Sequence, residues 1–529
     1  MRILASDDVR QIESEAASRT DTSASLLTQR AGYAVAQFCL AHFKFRSVCV
    51  VCGVGDNSAH GLKTAQVLSG IAEQASTIIL AQDANALSPE AAAICESLAT
   101  EPLWISDEAG FQDDSVLQAL EADLIIDAVA GTEFKPPLKG VARKAVEAVN
   151  QASGIVVSIG VPSGVDPDSD VPVHEGSSEA VFAHAVITFV APNPAHVFGK
   201  ITAGPIAVSE LGVQPSLVSH ETGLSVVTSQ EVRITFPPRP DEAHKGDFGH
   251  VLVFGGGLNQ AGSAVLAGIA ALRTGAGLVT VACPRSAQPT IAGFAPELMT
   301  EALVETAAGT LASAARDKIG ELLAKADAVV LGPDDPGEDE TTQLTRWLIG
   351  NCPAALVLHA GMIEVFKNRA EKSGEERLRV IVLDAPDAAT FLGIDIKHVE
   401  SDRIDAARRV AEHTNACIVL KGLRTIVAGR SGETWISMTG NTALAKNGSD
   451  DALCGMIAAA LARHGEERPD LLRELDVASA VYLHGLAGDL ARDIFHENTL
   501  LATDLLETLS DAFRDCELQS DRGLFYLRK

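Results

Sequence analysis

Three oxygen-bearing side chains stand just past, or at the end of, apolar runs in the first part of the chain. They are Asn57 in GVGDNSAHGL (53–62), Asp127 closing ADLIID (122–127) and Ser163 in VPSGVDPD (161–168). An amide, a carboxylate and a hydroxyl that converge would suit a monovalent or other hard cation; taken singly, each is an ordinary turn or cap residue. The glycines of 53–62 allow a tight turn over a helix start that favours an anion, and a plain strand–helix turn reads equally well. Further along, GGG at 255–257 precedes an Ala-rich helix from near Ala261, and CIVLKGLRT (417–425) puts Lys421 at a strand end. The GGG is a phosphate cradle or a tight turn; the lysine is a phosphate cation or an exposed turn residue. Gly448, Ser449, Asp450 and Asp451 open a strongly helical run within 438–462. The amides of such a start form an anion hole, and an acid there can serve as a general base. Capping by Ser449, Asp450 or Asp451 is the competing reading.

The elements that must position these residues are legible. Near-continuous β-branched runs recur at 47–51, 76–80, 122–127, 154–159 and 186–190, with helical stretches at Ser58–Gly70, Ser88–Ala99 and Gly140–Gln151 between them. Runs apolar on both faces, alternating with helices, predict a doubly wound, mostly parallel α/β sheet. A second series runs through 250–254, 278–282, 328–332, 355–360, 379–384 and 417–422, then two helices at Asp451–His464 and Asp476–Ala491. The Pro- and Gly-rich segment PPRPDEAHKGDFG and the loop-like GVQPSLVSHETG place the join near residue 222. The expected domains are thus 1–222 and 223–529, with the tail 510–529 beyond the last regular element. Cys49 and Cys52 form a CxxC inside a strand, where they point to opposite faces and read as core thiols.

At about 100–200 residues per domain, 529 residues hold two or three domains. With 42 Lys+Arg against 70 Asp+Glu the net charge is −28, which argues against a general nucleic-acid or anionic-membrane surface. The acidic start MRILASDD is not that of a signal peptide, and no uncharged apolar run reaches the roughly 18 residues of a membrane span. A cytoplasmic protein is expected.

Taken in order, these passages resemble the bifunctional NAD(P)H-hydrate repair enzymes, in which a YjeF-type domain is fused to an ADP-dependent NAD(P)HX dehydratase. The resemblance is carried by DLIIDAVAGTEF, VPSGVD and FVAPNP in the first half. In the second it is carried by HKGDFGHVLV, LRTGAGLVTVA, APELM, VLKG, TGN and VYLHGLAGDLA. It implies a Rossmann-like domain that epimerises the R and S hydrates of NADH and NADPH, and a ribokinase-like domain that dehydrates the S form at the expense of ADP, with ATP and Mg2+ as variants. By the same resemblance Asn57, Asp127 and Ser163 are potassium ligands, and Asp127 also carries acid–base work. His60, Gly131, Thr132 and Gly160 fall on the first substrate site, with Ser263 and Asp384 on the second. Gly422, Thr425, Gly448, Asp450 and Lys421 fall in the nucleotide-binding stretches, and Asp451 is the catalytic aspartate. The partner implied is a hydrated nicotinamide nucleotide, bound by a homo-oligomer.

Several positions depart from the family pattern. The family's NNGGDG loop is DNSAHG, so His60 replaces an acid, and the acid before the PSG turn is Gly160. The GSGD anion hole has Asp450 for its second glycine; a carboxylate about 4 Å from a phosphate costs roughly 4 kcal/mol, around a thousandfold in affinity, unless paired or turned away. LDAPD (383–387), HAGMI (359–363) and GPDDP (332–336) replace PHPGE, DADAL and GPGLG. Three functions compete: a repair enzyme active at one or both sites, a non-catalytic nucleotide-binding or scaffolding relative, and a small-molecule kinase with Asp451 as base.

Overall fold

Apolar runs without polar interruption are stable as strands only when both sheet faces are covered, and both series fold that way. The structure, a computed structural model, describes residues 1–18, 23–131, 133–169, 179–218, 223–257, 259–332, 339–363, 377–465, 468–518 and 523–527. The chain divides into two units, Met1–Thr222 together with Arg522–Lys529, and Gly223–Asp521. Among the described residues no helix is long and apolar enough to cross a membrane.

The first unit contains β1 (Ser47–Cys52), β2 (Gln74–Ile79), β3 (Leu103–Trp104), β4 (Leu124–Ala128), β5 (Ile155–Ile159), β6 (Ala185–Phe189) and β7 (Ile206–Ser209), with helix α1 (Asn57–Ser69) leaving β1. The strands are parallel in the order β7-β6-β5-β4-β1-β2-β3. Val48, Val50, Cys52 and Ile126 bury on one face, Cys49, Val51, Ile78 and Ile125 on the other. The two cysteines therefore lie on opposite faces, and burial pushes the Cys49 thiol up to about 12. The chain proceeds outward from β1 through β3, then returns to β4 on the other side. Such a reversal leaves a crevice at the carboxyl ends of the two strands where it occurs.

The second unit contains β8 (Leu224–Val226), β9 (His250–Phe254), α2 (Ala261–Thr274), β10 (Leu278–Pro284), β11 (Met299–Leu303), β12 (Ala328–Leu331), β13 (Ala355–His359), β14 (Arg379–Leu383), α3 (Ala385–Leu392), β15 (Cys417–Leu420), β16 (Ile426–Ala428) and β17 (Thr434–Ile436). Three helices follow, α4 (Ser449–Ala462), α5 (Asp470–Ile494) and α6 (Ala502–Glu517). The sheet order is β11-β10-β9-β12-β13-β14-β15-β16-β17-β8, parallel from β11 to β15, with β16 antiparallel to both its neighbours. Helices α2 and α4 touch closely because both are rich in small residues: a Cβ on Gly455 would stand 2.0 Å from the Ala267 carbonyl oxygen. That contact sets the two helix starts side by side.

The mixed α/β architecture with parallel sheets is the one expected; the tail is not. Helix α6 continues to Glu517, burying Leu505, Leu506, Leu509, Ala512 and Cys516. A further strand, β18 (Leu524–Tyr526), pairs in parallel with β7, Leu524 opposite Ile206 and Tyr526 opposite Val208. The end of the 223–529 range thus counts with the first unit. A three-residue strand is too short to show a period, and the charged outer face of α6 masks its apolar stripe.

Candidate functional site

In the first unit the oxygen-bearing residues meet at the reversal between β1 and β4. Asp127 sits in β4 with no exposed surface. Its Oδ2 accepts from Ser158 Oγ at 2.7 Å and Ser163 N at 2.9 Å, and its Oδ1 from Ser163 Oγ at 2.6 Å and Val129 N at 3.3 Å. Burial pushes the carboxyl above the ordinary carboxylate range, and these four donors oppose that push. Ser163 Oγ in turn accepts from Ala130 N at 2.8 Å, while Asn57 Nδ2 donates to the Ala130 and Ile159 carbonyls at 2.8 Å each. Asn57, Asp127 and Ser163 therefore belong to one network joined through Ala130.

The other residues of this site are differently placed. His60 lies edge-on to Phe189, ring centroids 5.1 Å apart, and burial lowers its pKa to about 4, so it is neutral at pH 7. Gly131 accepts a bond from Phe134 N at 3.1 Å, and Thr132 lies outside the described residues. Gly160 adopts φ +76°, a conformation that resists a side chain. Its carbonyl takes a 2.8 Å bond from His196 Nε2, which carries the proton because Nδ1 accepts from Asn193 N. The sequence reading misses an acidic rim on the Asn57 loop. The Asp56 carboxyl is hydrogen-bonded to Glu133 and raised, first by burial and then by that neighbour. Glu13 is pushed up to about 7 by burial, with the Asp56 charge adding. Asp56 and Glu133 lie within quoted motifs; Glu13, on a separate helix, gives no local signal.

In the second unit the site forms along the carboxyl edge of β9, β13, β14 and β15. Helix α4 starts at Gly448, φ +90°, with no side-chain cap, so the capping reading of Ser449, Asp450 and Asp451 is not what the chain adopts. Asp450 instead forms an ion pair with Lys421, which follows β15 and donates its backbone N–H to the Leu383 carbonyl. Lys446, the other lysine nearby in sequence, donates to the Asn498 carbonyl at 2.7 Å. Asp451 is buried and hydrogen-bonded to Ser263, which the α2–α4 contact brings to it. Burial raises its pKa, the Ser263 bond and the charges of His359 and Lys421 lower it, and Asp450 adds to the rise.

Asp384 begins α3 as its cap: Oδ1 accepts from Asp387 N at 3.0 Å, and Asp387 Oδ2 accepts from Asp384 N at 3.1 Å. Gly422 has φ +136°, and Thr425 Oγ1 donates to its carbonyl at 3.3 Å. Of GPDDP, residues 333–336 lie outside the described residues. Two residues escape the sequence reading, His484 and Asp489 on α5. His484 Nε2 reaches the Ser449 carbonyl at 3.1 Å and its Oγ at 3.2 Å, anchoring the start of α4. Asp489 accepts from Gly440 N at 2.9 Å and Asn441 Nδ2 at 2.8 Å, holding the TGN loop. Their signal lies within the quoted VYLHGLAGDLA, where a histidine and an aspartate interrupt an otherwise apolar stretch.

The model of the NAD(P)H-hydrate dehydratase family matches residues 251–511, and that of the YjeF-related protein N-terminus matches residues 24–195. The bifunctional NAD(P)H-hydrate repair enzyme Nnr of Thermofilum pendens is 30% identical, over 97% of this chain and 96% of its own. The chain belongs to the bifunctional NAD(P)H-hydrate repair enzyme family. The Moorella thermoacetica and Escherichia coli members are 29% and 28% identical, over 98% and 95% of this chain and 97% and 92% of theirs. Among solved structures, the ADP/ATP-dependent NAD(P)H-hydrate dehydratase of Bacillus subtilis, co-crystallised with ATP/Mg2+, is 27% identical over 55% of this chain and 98% of its own, with a TM-score of 0.47. Within this repair family, the dehydratase match contains Ser263, His359, Lys421, Asp450 and Asp451, and the YjeF match contains Asn57, Asp127, Gly160 and Ser163.

Proposed function

We propose that the chain repairs hydrated NADH and NADPH, the first unit interconverting the R and S hydrates and the second dehydrating the S form with ADP. The observation that carries this is Asp451, buried, raised in pKa and held by Ser263 at the start of α4, inside the span that matches the dehydratase family. Its carboxyl takes the proton from the substrate hydroxyl, whose oxygen would take up the terminal phosphoryl group of the nucleotide and leave with it as inorganic phosphate. Ser263 fixes the carboxyl's orientation. Lys421, Gly422 and the first turn of α4 offer a cation and helix-start amides to the phosphates of ADP, or of ATP in its place. When bound, ADP supplies the phosphate-bond free energy that drives the dehydration. Mg2+, where it takes part, would come with the phosphates of the nucleotide.

In the first unit an amide, a hydroxyl and a carboxylate share one network, a donor set that suits potassium, held by Asn57, Asp127 and Ser163. Its charge would offset that of the enclosed Asp127, which acts on substrate through Ser163. The absence of a side chain at Gly160 favours a second reading for this unit, a binding fold without epimerase chemistry. The homo-oligomer and the cytoplasmic location belong to the same proposal, and light scattering of the purified chain tests the assembly.

The deciding experiment gives the full chain mixed R and S hydrated NADH with potassium and ADP, then separately ATP, and follows recovery of dihydronicotinamide absorbance. Consumption of both epimers is expected, with Asp451→Asn lowering the rate at least about 100-fold. Consumption of the S form alone beyond spontaneous epimerisation would assign failure to the first unit. No recovery from folded protein with either nucleotide would overturn the dehydratase claim.

A further inference from the structure

The start of α4 and the end of β15 face one another, and between them lies a carboxylate from the chain itself. Asp450 contributes that group from the first turn of α4, and Lys421 Nζ is its partner. Both side chains are partly open to water, 22% exposed for Lys421 and 35% for Asp450. The pair is therefore a surface-edge contact rather than a sealed one.

Its surroundings are acidic. Asp387 has its carboxyl raised chiefly by burial and by Asp384, while Lys421 pulls it down, which places Lys421 within electrostatic reach of α3 as well. Asp451 feels Asp450 and Lys421 in the same way. Neighbouring cationic side chains are directed elsewhere: Arg403 donates to the Leu420 and Lys421 carbonyls at 3.1 and 2.7 Å, and Lys446 to the Asn498 carbonyl. One ammonium thus serves Asp450 while Asp387 and Asp451 compete for its field.

We propose that Asp450 is a built-in competitor of the nucleotide's phosphate, occupying on Lys421 the place that a phosphate oxygen takes. The inference rests on the nucleotide site proposed above and deepens it, because it names the residue that sets nucleotide affinity. A partly exposed ion pair is individually weak, so the contact opens readily. The displaced carboxylate does not leave. It stays tethered in the same helical turn and repels the phosphate that replaced it, so affinity is lowered even when the site is filled. An acid in the first turn also interacts favourably with the helix dipole, and a merely stabilising role of that kind predicts no change in nucleotide binding.

The test is calorimetric titration of the full-length chain with ADP, and with ATP plus Mg2+, for wild type, Asp450→Gly and Asp450→Asn. The asparagine variant keeps the side chain's size and removes its charge, so it decides the matter if the glycine variant folds poorly. Tenfold or greater tightening is expected in both variants. Lys421→Met supplies the second readout. Its loss of affinity should be severalfold larger in the Asp450→Asn background than in wild type, where the ammonium is already neutralised. Wild-type binding that neither variant improves, or an equal cost of Lys421→Met in both backgrounds, overturns the role of Asp450 alone. No nucleotide binding by any variant, each shown folded by circular dichroism, overturns the nucleotide site itself and this inference with it.

Discussion

A carboxylate with no exposed surface is stable only if it is hydrogen-bonded or paired, and Asp127 accepts from four donors of three residues. Ser163 supplies two of the four, so Ser163→Ala removes the shortest bond and leaves Ala130 N without its acceptor. A hydrogen bond to a charged group contributes about 1.5–3 kcal/mol. The variant should lower the first unit's unfolding free energy by about that amount, read from denaturant titration with m unchanged. The choice of serine at 163 was visible in the sequence, as was that of aspartate at 127. Ser158 was not, because a polar residue inside a β-branched run gives no hint that it faces the neighbouring strand's acid.

At the level of elements, the start of α4 is set by two contacts that come from distant parts of the chain. Helix α2 brings Ser263, and α5 brings His484 to the Ser449 carbonyl. Burial lowers the His484 pKa to about 4, from an ordinary value of 6.5. The unfolded chain therefore takes up a proton here before the folded one does, and this group's contribution, complete above pH 6.5, is lost as pH falls towards 4. The stability advantage of wild type over His484→Gln should accordingly shrink across that window, measured as the difference in Tm. An advantage that stays constant from pH 7 to 4 would mean that His484 does not remain neutral in the folded state. Strand positions were read well because each β-branched run is locally complete. What was hidden was the coupling between elements: that Asp450 finds Lys421 across the end of the sheet rather than capping its own helix depends on where β15 lies, which no local pattern records.

On the scale of the whole molecule, the chain leaves the first unit near residue 222, builds Gly223–Asp521, and contributes β18 to the first sheet afterwards. Phe525 and Leu527 pack against that unit's core, Phe525 5.9 Å from the His42 ring. Ending the chain at residue 518 should therefore lower the first unit's Tm by several degrees and leave the second unit's transition in place. Scanning calorimetry of both forms checks this. Two unshifted transitions would show that β18 adds nothing to the sheet it borders.

The same strand sets a schedule for the ribosome. At about 5–20 residues per second, N-terminal elements normally settle while later ones are still being made. Here β7 waits at the margin of its sheet, its outer hydrogen-bonding groups unpaired, through synthesis of all of Gly223–Asp521. An unpaired margin is a template for other chains, so the nascent first unit is most prone to aggregate just when it looks finished. A gene cut at the join would make that condition permanent in the first product and would leave β18 an orphan on the second.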